Sequence, residues 1–246
     1  MERKRLGSKA MGDRAIPHRT ASTVAKGPDK KLHRFPRPTV AVDTALLTVD
    51  PTLGLAVLEL ARDDIEAGTW ALPGTFVHQG ETLADAVKRS LRDKIGVRGV
   101  TPIQLHVFDD PDRDHRDWVI SVAHVAVVRP ERLTARGEGL AGDVRLAPVD
   151  RPGELLWDHN VIVEYAKNHV RELYAEKPDP ARLLATEFTM RELQRVHEAV
   201  LGDRLMRDAF RRAMKSHLIG TDVRDPTGSR GRPAELFRRA PARGDR

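Results

Sequence analysis

The sequence predicts an α+β chain in two folded parts, strands first and helices last. Three observations carry this. β-Branched runs crowd residues 39 to 149, helical periodicity dominates after residue 180, and KPDP at 177–180 interrupts the chain with two prolines between charged residues. TVAVDTALLTV from Thr39, a turn at Asp50, Pro51 and Gly54, and then LAVLELAR predict a hairpin of two strands. Further strands are predicted at Ile103–Phe108, Trp118–Val128 and Val144–Val149. Between them Thr82, with Asp85 three residues on, caps a helix whose apolar stripe is Leu83, Ala86, Val87, Leu91 and Ile95. A second helix is predicted from about Asn160 to Ala175, with Val161, Val163, Tyr165, Ala166, Val170 and Leu173 available for burial. Beyond the prolines, Thr189 and Glu192 form a capping box for a helix that buries Leu193, Val196, Val200 and Leu201. Gly202 and Asp203 turn the chain into a helix over Leu205–Lys215, and LIGTDVRDPTGSRGRPAELFRR supplies two short apolar segments around an Arg-rich tip. Helix, turn, helix, hairpin is the outline of a winged helix-turn-helix.

Composition removes several classes of function. In 246 residues there is no cysteine, which excludes a disulfide framework, a thiolate zinc site, an iron–sulfur cluster and a cysteine nucleophile. No apolar run approaches the roughly 18 residues that cross a bilayer, and the N-terminus has no apolar export segment, so a cytoplasmic, nucleoid-associated protein is expected. Charge is unevenly placed. Residues 1 to 38 hold 11 Lys/Arg against 3 Asp/Glu, and residues 201 to 246 hold 12 against 6, so the net charge of +6 belongs to the ends and the body between them is acidic. Basic ends suggest nucleic acid, although for residues 1 to 37 a solvated, disordered tail is the favoured reading. The expected organisation is a disordered basic tail over 1–37, a sensing domain over 38–177, a winged helix over 178–240 and a short disordered tail over 241–246.

Residues 71 to 97, ALPGTFVHQGETLADAVKRSLRDKIGV, resemble the Nudix box, with Glu81, Arg89, Leu91, Gly96 and Val97 in register and LPG and QGET in their usual places. LLWDHNVIVEYA near 155–166 resembles the end of many Nudix domains. The resemblance implies an α/β/α sandwich around a mixed sheet. In a working Nudix enzyme three glutamates at i, i+3 and i+4 of the helix hold divalent cations that neutralise a pyrophosphate and help to generate the attacking water. Here those positions are Ser90, Asp93 and Lys94, so one carboxylate of the three remains; Thr75 replaces the first glycine of the box and His78 the acid before QGE. The expectation is a site without catalytic residues, with no obligatory cofactor and at most weak Mg²⁺ binding by Glu81 and Asp93. The alternative is slow turnover by those two carboxylates.

Binding does not demand the metal face. Gly74 offers close backbone, Arg62, Arg89 and Arg116 are candidates for phosphate oxygens, and Trp70, Phe108 and Trp118 for stacking on adenine. For the aromatics ordinary core packing is the plain alternative, and for Arg89 it is pairing with Glu81. On the DNA side, Arg207, Arg211, Arg212 and Lys215 cover one sector of the second helix, Arg230 and Arg232 sit in the wing, and Thr189 stands at the start of the first helix.

A degenerate Nudix domain followed by FTMRELQRVHEAVLG, DAFRRAMKS and GRPAELFR resembles the NrtR family, Nudix-related transcriptional regulators of NAD metabolism, over about residues 39 to 239. That resemblance implies a homodimeric repressor of NAD biosynthesis or salvage genes. It would bind a palindromic double-stranded operator, and its effector would be ADP-ribose, NAD or a similar adenine nucleotide. Two alternatives stay open: a Nudix pyrophosphatase acting on ADP-ribose or NADH with an accessory DNA-binding domain, and a nucleotide-sensing adaptor for an acidic protein partner.

Overall fold

The computed structural model describes residues 34–133, 143–225 and 234–241. Most of the expected N-terminal tail, residues 1–33, the wing tip at 226–233 and residues 242–246 lie outside them. Residues Pro38–Arg246 form one compact unit.

The strands are β1 (Thr39–Asp50), β2 (Gly54–Ala61), β3 (Trp70–Ala71), β4 (Gly74–Phe76), β5 (Ile103–Phe108), β6 (Val119–Val127) and β7 (Val144–Pro148), and they make one seven-stranded sheet. Its backbone order is β3-β2-β1-β6-β5, with β4 on β1 and β7 on β2. β1 and β2 pair antiparallel through the expected turn, whereas β1 and β6 pair in parallel from Thr39↔Val119 to Leu47↔Val127, which makes the sheet mixed.

Alternation along the central strands divides the core in two. Val42 and Leu46 of β1, Leu58 and Leu60 of β2 and Ala126 of β6 face helix α1 (Leu83–Ile95), where Ala86, Val87 and Leu91 close the layer. Ala45 and Leu47, Leu55 and Val57, and Ala123 and Val125 face the other way, onto helix α2 (His159–Glu176). A strand covered on both faces needs a continuous apolar run, which is why residues 41 to 48 are buried throughout. Each fully buried Val or Leu in these layers is worth about 1.5–3 kcal/mol over its exposed state. Thr82 caps α1 by accepting from the Asp85 N–H at 3.2 Å, and Gly96 ends it at a φ of 73° that a side chain would strain.

The last part carries β8 (Phe188–Thr189), α3 (Met190–Leu201), α4 (Arg207–Lys215), β9 (Leu218–Asp225) and β10 (Ala234–Arg239), with sheet order β8-β10-β9. Phe188, Leu193, Phe210, Met214 and Phe237 form its core. The Thr189–Glu192 box is reciprocal, as expected. This module is not held by its own core alone, because Val200 of α3 is buried in the layer beneath α2 while Val196 and Leu201 pack against it.

Two helices depart from expectation. In α2 the buried face is Ile162, Val163, Ala166, Val170 and Tyr174, leaving Val161 and Tyr165 exposed, because α3 and the sheet cover a different sector from the one the apolar residues alone suggested. α4 begins at Arg207 and buries only Phe210 and Met214, so Met206 is 80% exposed. The two-residue strands β3 and β8 and the three-residue β4 carry too few residues to show a period. Among the described residues no helix is long and apolar enough to cross a membrane.

Candidate functional site

A cleft opens at the edge of the sheet between β1, β4, the end of α1, the loop before β6 and the start of α2; Asp43, Arg62, Gly74, Lys94, Arg116 and Trp157 are among its lining residues. At its floor Asp43 accepts from Ser121 Oγ at 2.6 Å and from Arg113 at 3.5 Å, and faces His159 Nε2 at 3.5 Å. The Leu72 N–H donates to His159 Nδ1 at 2.9 Å, so that nitrogen offers its lone pair and the ring proton belongs on Nε2, toward Asp43. Burial by itself would raise the Asp43 pKa; His159, Ser121 and Arg113 outweigh it and hold the carboxyl down to about 2. Arg113 is clamped at 2.5 and 2.8 Å by Asp158, which therefore does not cap α2 with its own side chain. Gly74 is dictated here, since a Cβ on it would lie 2.0 Å from Asp43 Oδ1.

Trp157 roofs the same cleft with a φ of 56°, a left-handed conformation uncommon for a side chain of this size. The Arg116 and Arg62 guanidinium carbons stand 4.7 and 5.5 Å from its ring centroid. Each arginine is also tied to a carboxylate, Arg116 to Asp114 at 2.7 Å and Arg62 to Asp64 at 2.8 Å. The result is an arginine-lined, aromatic-backed mouth suited to a ligand with phosphate oxygens and a flat ring.

Of the residues expected to meet an effector, the structure gathers Arg62, Gly74 and Arg116 in this cleft. Trp70 is elsewhere: it packs against the core with the Arg145 guanidinium 4.0 Å above its ring. Phe108 also serves packing, edge-on to Tyr165 at 5.7 Å. Trp118 is 44% exposed and lines a neighbouring concavity that shares Asp114 and Arg116 with the cleft. Arg89 is consumed locally, gripping Glu81 at 2.8 and 2.9 Å while donating to Thr75 Oγ1 and the Phe76 carbonyl. Asp43, Arg113, Trp157 and His159 escaped the sequence reading; their one signal was WDH at 157–159, within the segment that resembles a Nudix C-terminus.

The metal that the Nudix box implies does not fit these residues. The Arg89 guanidinium and the His78 N–H occupy the Glu81 carboxylate and hold its pKa down to about 2. Ser90 is buried, its hydroxyl without a partner, and Asp93 turns to Arg92 at 2.7 Å. Among the described residues no three His, Asp or Glu are grouped to hold an ion, and the two carboxylates expected to bind Mg²⁺ weakly, Glu81 and Asp93, are each paired with an arginine.

On α4, Arg207, Arg211, Arg212 and Lys215 are all exposed, with Arg212 on the side away from Phe210 and Met214, and only Arg211 has an ion-pair partner among the described residues, Glu235 at 3.9 Å. Thr189 does not share that surface, because it is 8% exposed and its hydroxyl is spent on Glu192. Arg230 and Arg232 lie outside the described residues.

Residues 39–165 match the NUDIX domain and residues 180–239 the NrtR DNA-binding winged helix domain. The chain is 27% identical over 213 residues to the ADPR responsive transcriptional repressor NtrR of Acinetobacter baylyi, covering 83% of each protein. It is 30% identical over 135 residues to the ADP-ribose pyrophosphatase of Methanocaldococcus jannaschii, covering 55% of this chain and 76% of that one. Among solved structures, Shewanella oneidensis NrtR complexed with a 27mer DNA is similar at a TM-score of 0.68 and 29% identity, over 82% of this chain and 93% of that one.

Proposed function

From a chain that belongs to the NrtR family, a Nudix domain joined to an NrtR winged helix, we propose a DNA-binding transcriptional repressor of NAD biosynthesis or salvage genes whose Nudix cleft senses ADP-ribose or a closely related adenine nucleotide. The observation that carries this reading is the exposed basic face of α4 on a winged helix whose α3 shares a core with the cleft-bearing domain. Arg207, Arg211, Arg212 and Lys215 supply major-groove and phosphate contacts, with Arg230 and Arg232 acting from the wing. The cleft supplies the sensor through Arg62, Arg116 and Trp157. The protein acts as a homodimer on a palindromic operator with half-sites about 10 bp apart or a multiple of that. A nucleotide that prefers the released geometry lowers operator affinity, and the operator lowers nucleotide affinity by the same factor.

Hydrolysis is not part of this reading, because the helix face that would hold cations has lost its carboxylates to Ser90 and Lys94 and its remaining ones to arginines. The similarity to a pyrophosphatase makes that point worth testing directly. Gel-shift titration of the full chain on NAD-gene promoter duplexes, with and without ADP-ribose, should give sequence-selective binding that the nucleotide relieves. Arg212→Ala should weaken binding about tenfold and flatten its salt dependence by roughly one unit of slope. Equal affinity for random DNA refutes the repressor. AMP release from ADP-ribose with Mg²⁺ or Mn²⁺, lost in Glu81→Gln, would favour the enzyme instead.

A further inference from the structure

Lys94 stands at the third carboxylate position of the Nudix box and lines the cleft beside Asp43, Arg62, Gly74, Arg113 and Arg116. Every other cation in that lining is matched, Arg62 by Asp64, Arg113 by Asp158 and Arg116 by Asp114. No hydrogen bond or ion pair joins the Lys94 ammonium to another described residue. The three arginine–carboxylate pairs cancel one another, and Asp43 is engaged by Ser121, His159 and Arg113, so Lys94 is the cation of the lining left facing the cleft without a contact partner among the described residues.

We propose that the Lys94 ammonium takes the place of the divalent cation, contacting the diphosphate of a nucleoside diphosphate effector together with Arg62 and Arg116, so that the effector binds without metal. The chemistry suits the residue. An ammonium on a four-carbon stem is a compact point charge that reaches phosphate oxygens without fixed geometry, whereas the paired arginines are held by their carboxylates and by Trp157. Helix α1 ends at Gly96, so Lys94 projects from its last turn, and much of its surface meets solvent at the cleft rim. Desolvation around the ammonium and the like charge of Arg62 lower its pKa, while Asp43 and Asp64 favour the charged form. An incoming diphosphate adds to that second group and replaces the water that the amine has lost.

The inference rests on the effector reading above, and the experiment separates the two. Calorimetric titration of the full chain with ADP-ribose, once with EDTA and once with Mg²⁺, should give dissociation constants within about twofold of each other. Lys94→Met, which keeps the stem and removes the charge, should weaken binding by about tenfold or more in both buffers with an unchanged melting temperature. A requirement for Mg²⁺ in the wild type, or wild-type affinity in Lys94→Met, overturns the assignment. If ADP-ribose gives no binding in either buffer, the effector reading fails, and inorganic pyrophosphate then decides Lys94. Pyrophosphate binding in EDTA that Lys94→Met loses upholds the site; no pyrophosphate binding, or binding that the variant retains, refutes it.

Discussion

Asp179 is the residue whose replacement should reveal how the winged helix is fastened. Its side chain is fully buried and accepts from the Tyr174 hydroxyl at 2.9 Å, from the Leu183 and Leu184 N–H groups at 2.8 and 2.9 Å, and from the Arg239 guanidinium. Its own N–H donates to His197 Nε2 at 3.2 Å. The carboxylate thus joins α2, the segment beyond KPDP and the last strand, and the backbone of the same residue adds α3. Alanine would strand one buried and two half-buried donors at about 1–3 kcal/mol each, and a φ of 45° at this position adds about 1 kcal/mol for a residue other than Asn, Asp or Gly. Arg239 keeps the Leu184 and Ala185 carbonyls, so its loss is partial. The total, about 4–10 kcal/mol, is comparable to the whole stability of many domains. Asparagine tolerates the backbone and keeps one acceptor, so Asp179→Asn should cost only about 2–3 kcal/mol. With a urea slope of about 2 kcal/mol/M, that moves the midpoint of full-chain unfolding down by about 1–1.5 M. An Asp179→Asn midpoint equal to wild type, or an Asp179→Ala variant as stable as Asp179→Asn, would refute the hub.

Two other perturbations test the core and the cleft. His197 is fully buried between Tyr174 and Phe210, and burial lowers its pKa to about 4 against roughly 6.5 in the unfolded chain. The folded state therefore binds fewer protons. Stability should be complete above about pH 6.5 and fall by up to about 3 kcal/mol as the pH drops toward 4. Urea midpoints between pH 7 and 4.5 should show a shallower slope in His197→Gln, and parallel slopes would exclude His197 as the cause. Gly74→Ala drives a methyl into an Asp43 that Ser121, His159 and Arg113 hold in place, so it should cost about 1–3 kcal/mol by thermal melting and weaken nucleotide binding. Wild-type values for both would mean that Asp43 is free to move.

Much of the fold was legible because it is written locally. β1, β2, β5, β6 and β7 follow the β-branched runs, α1 lies between its Thr82 cap and Gly96, and α3 follows its capping box to the residue, since these depend on neighbours a few positions away. The cleft was less legible. The basic sector of α4 could be read from helical spacing, and the box's lost carboxylates from register alone, but Trp157 and Arg113 sit in irregular segments with no period to betray them. Arg89 looked free for phosphate until its geometry tied it to Glu81, and Trp70 looked like a stacking platform until Arg145 covered it.

By itself, then, the sequence determined the elements, their caps, the degenerate box and the helix-turn-helix with its basic face, because each is set by residue type and short-range spacing. Only the tertiary structure decided that β1 runs parallel to β6 some 80 residues away. It alone brought Asp43, Arg113, Asp158 and His159 to one point and put Val200 of the winged helix into the core of the cleft-bearing domain. Those arrangements are contacts between distant segments, chosen by which surfaces bury one another, and no local pattern in the chain encodes them.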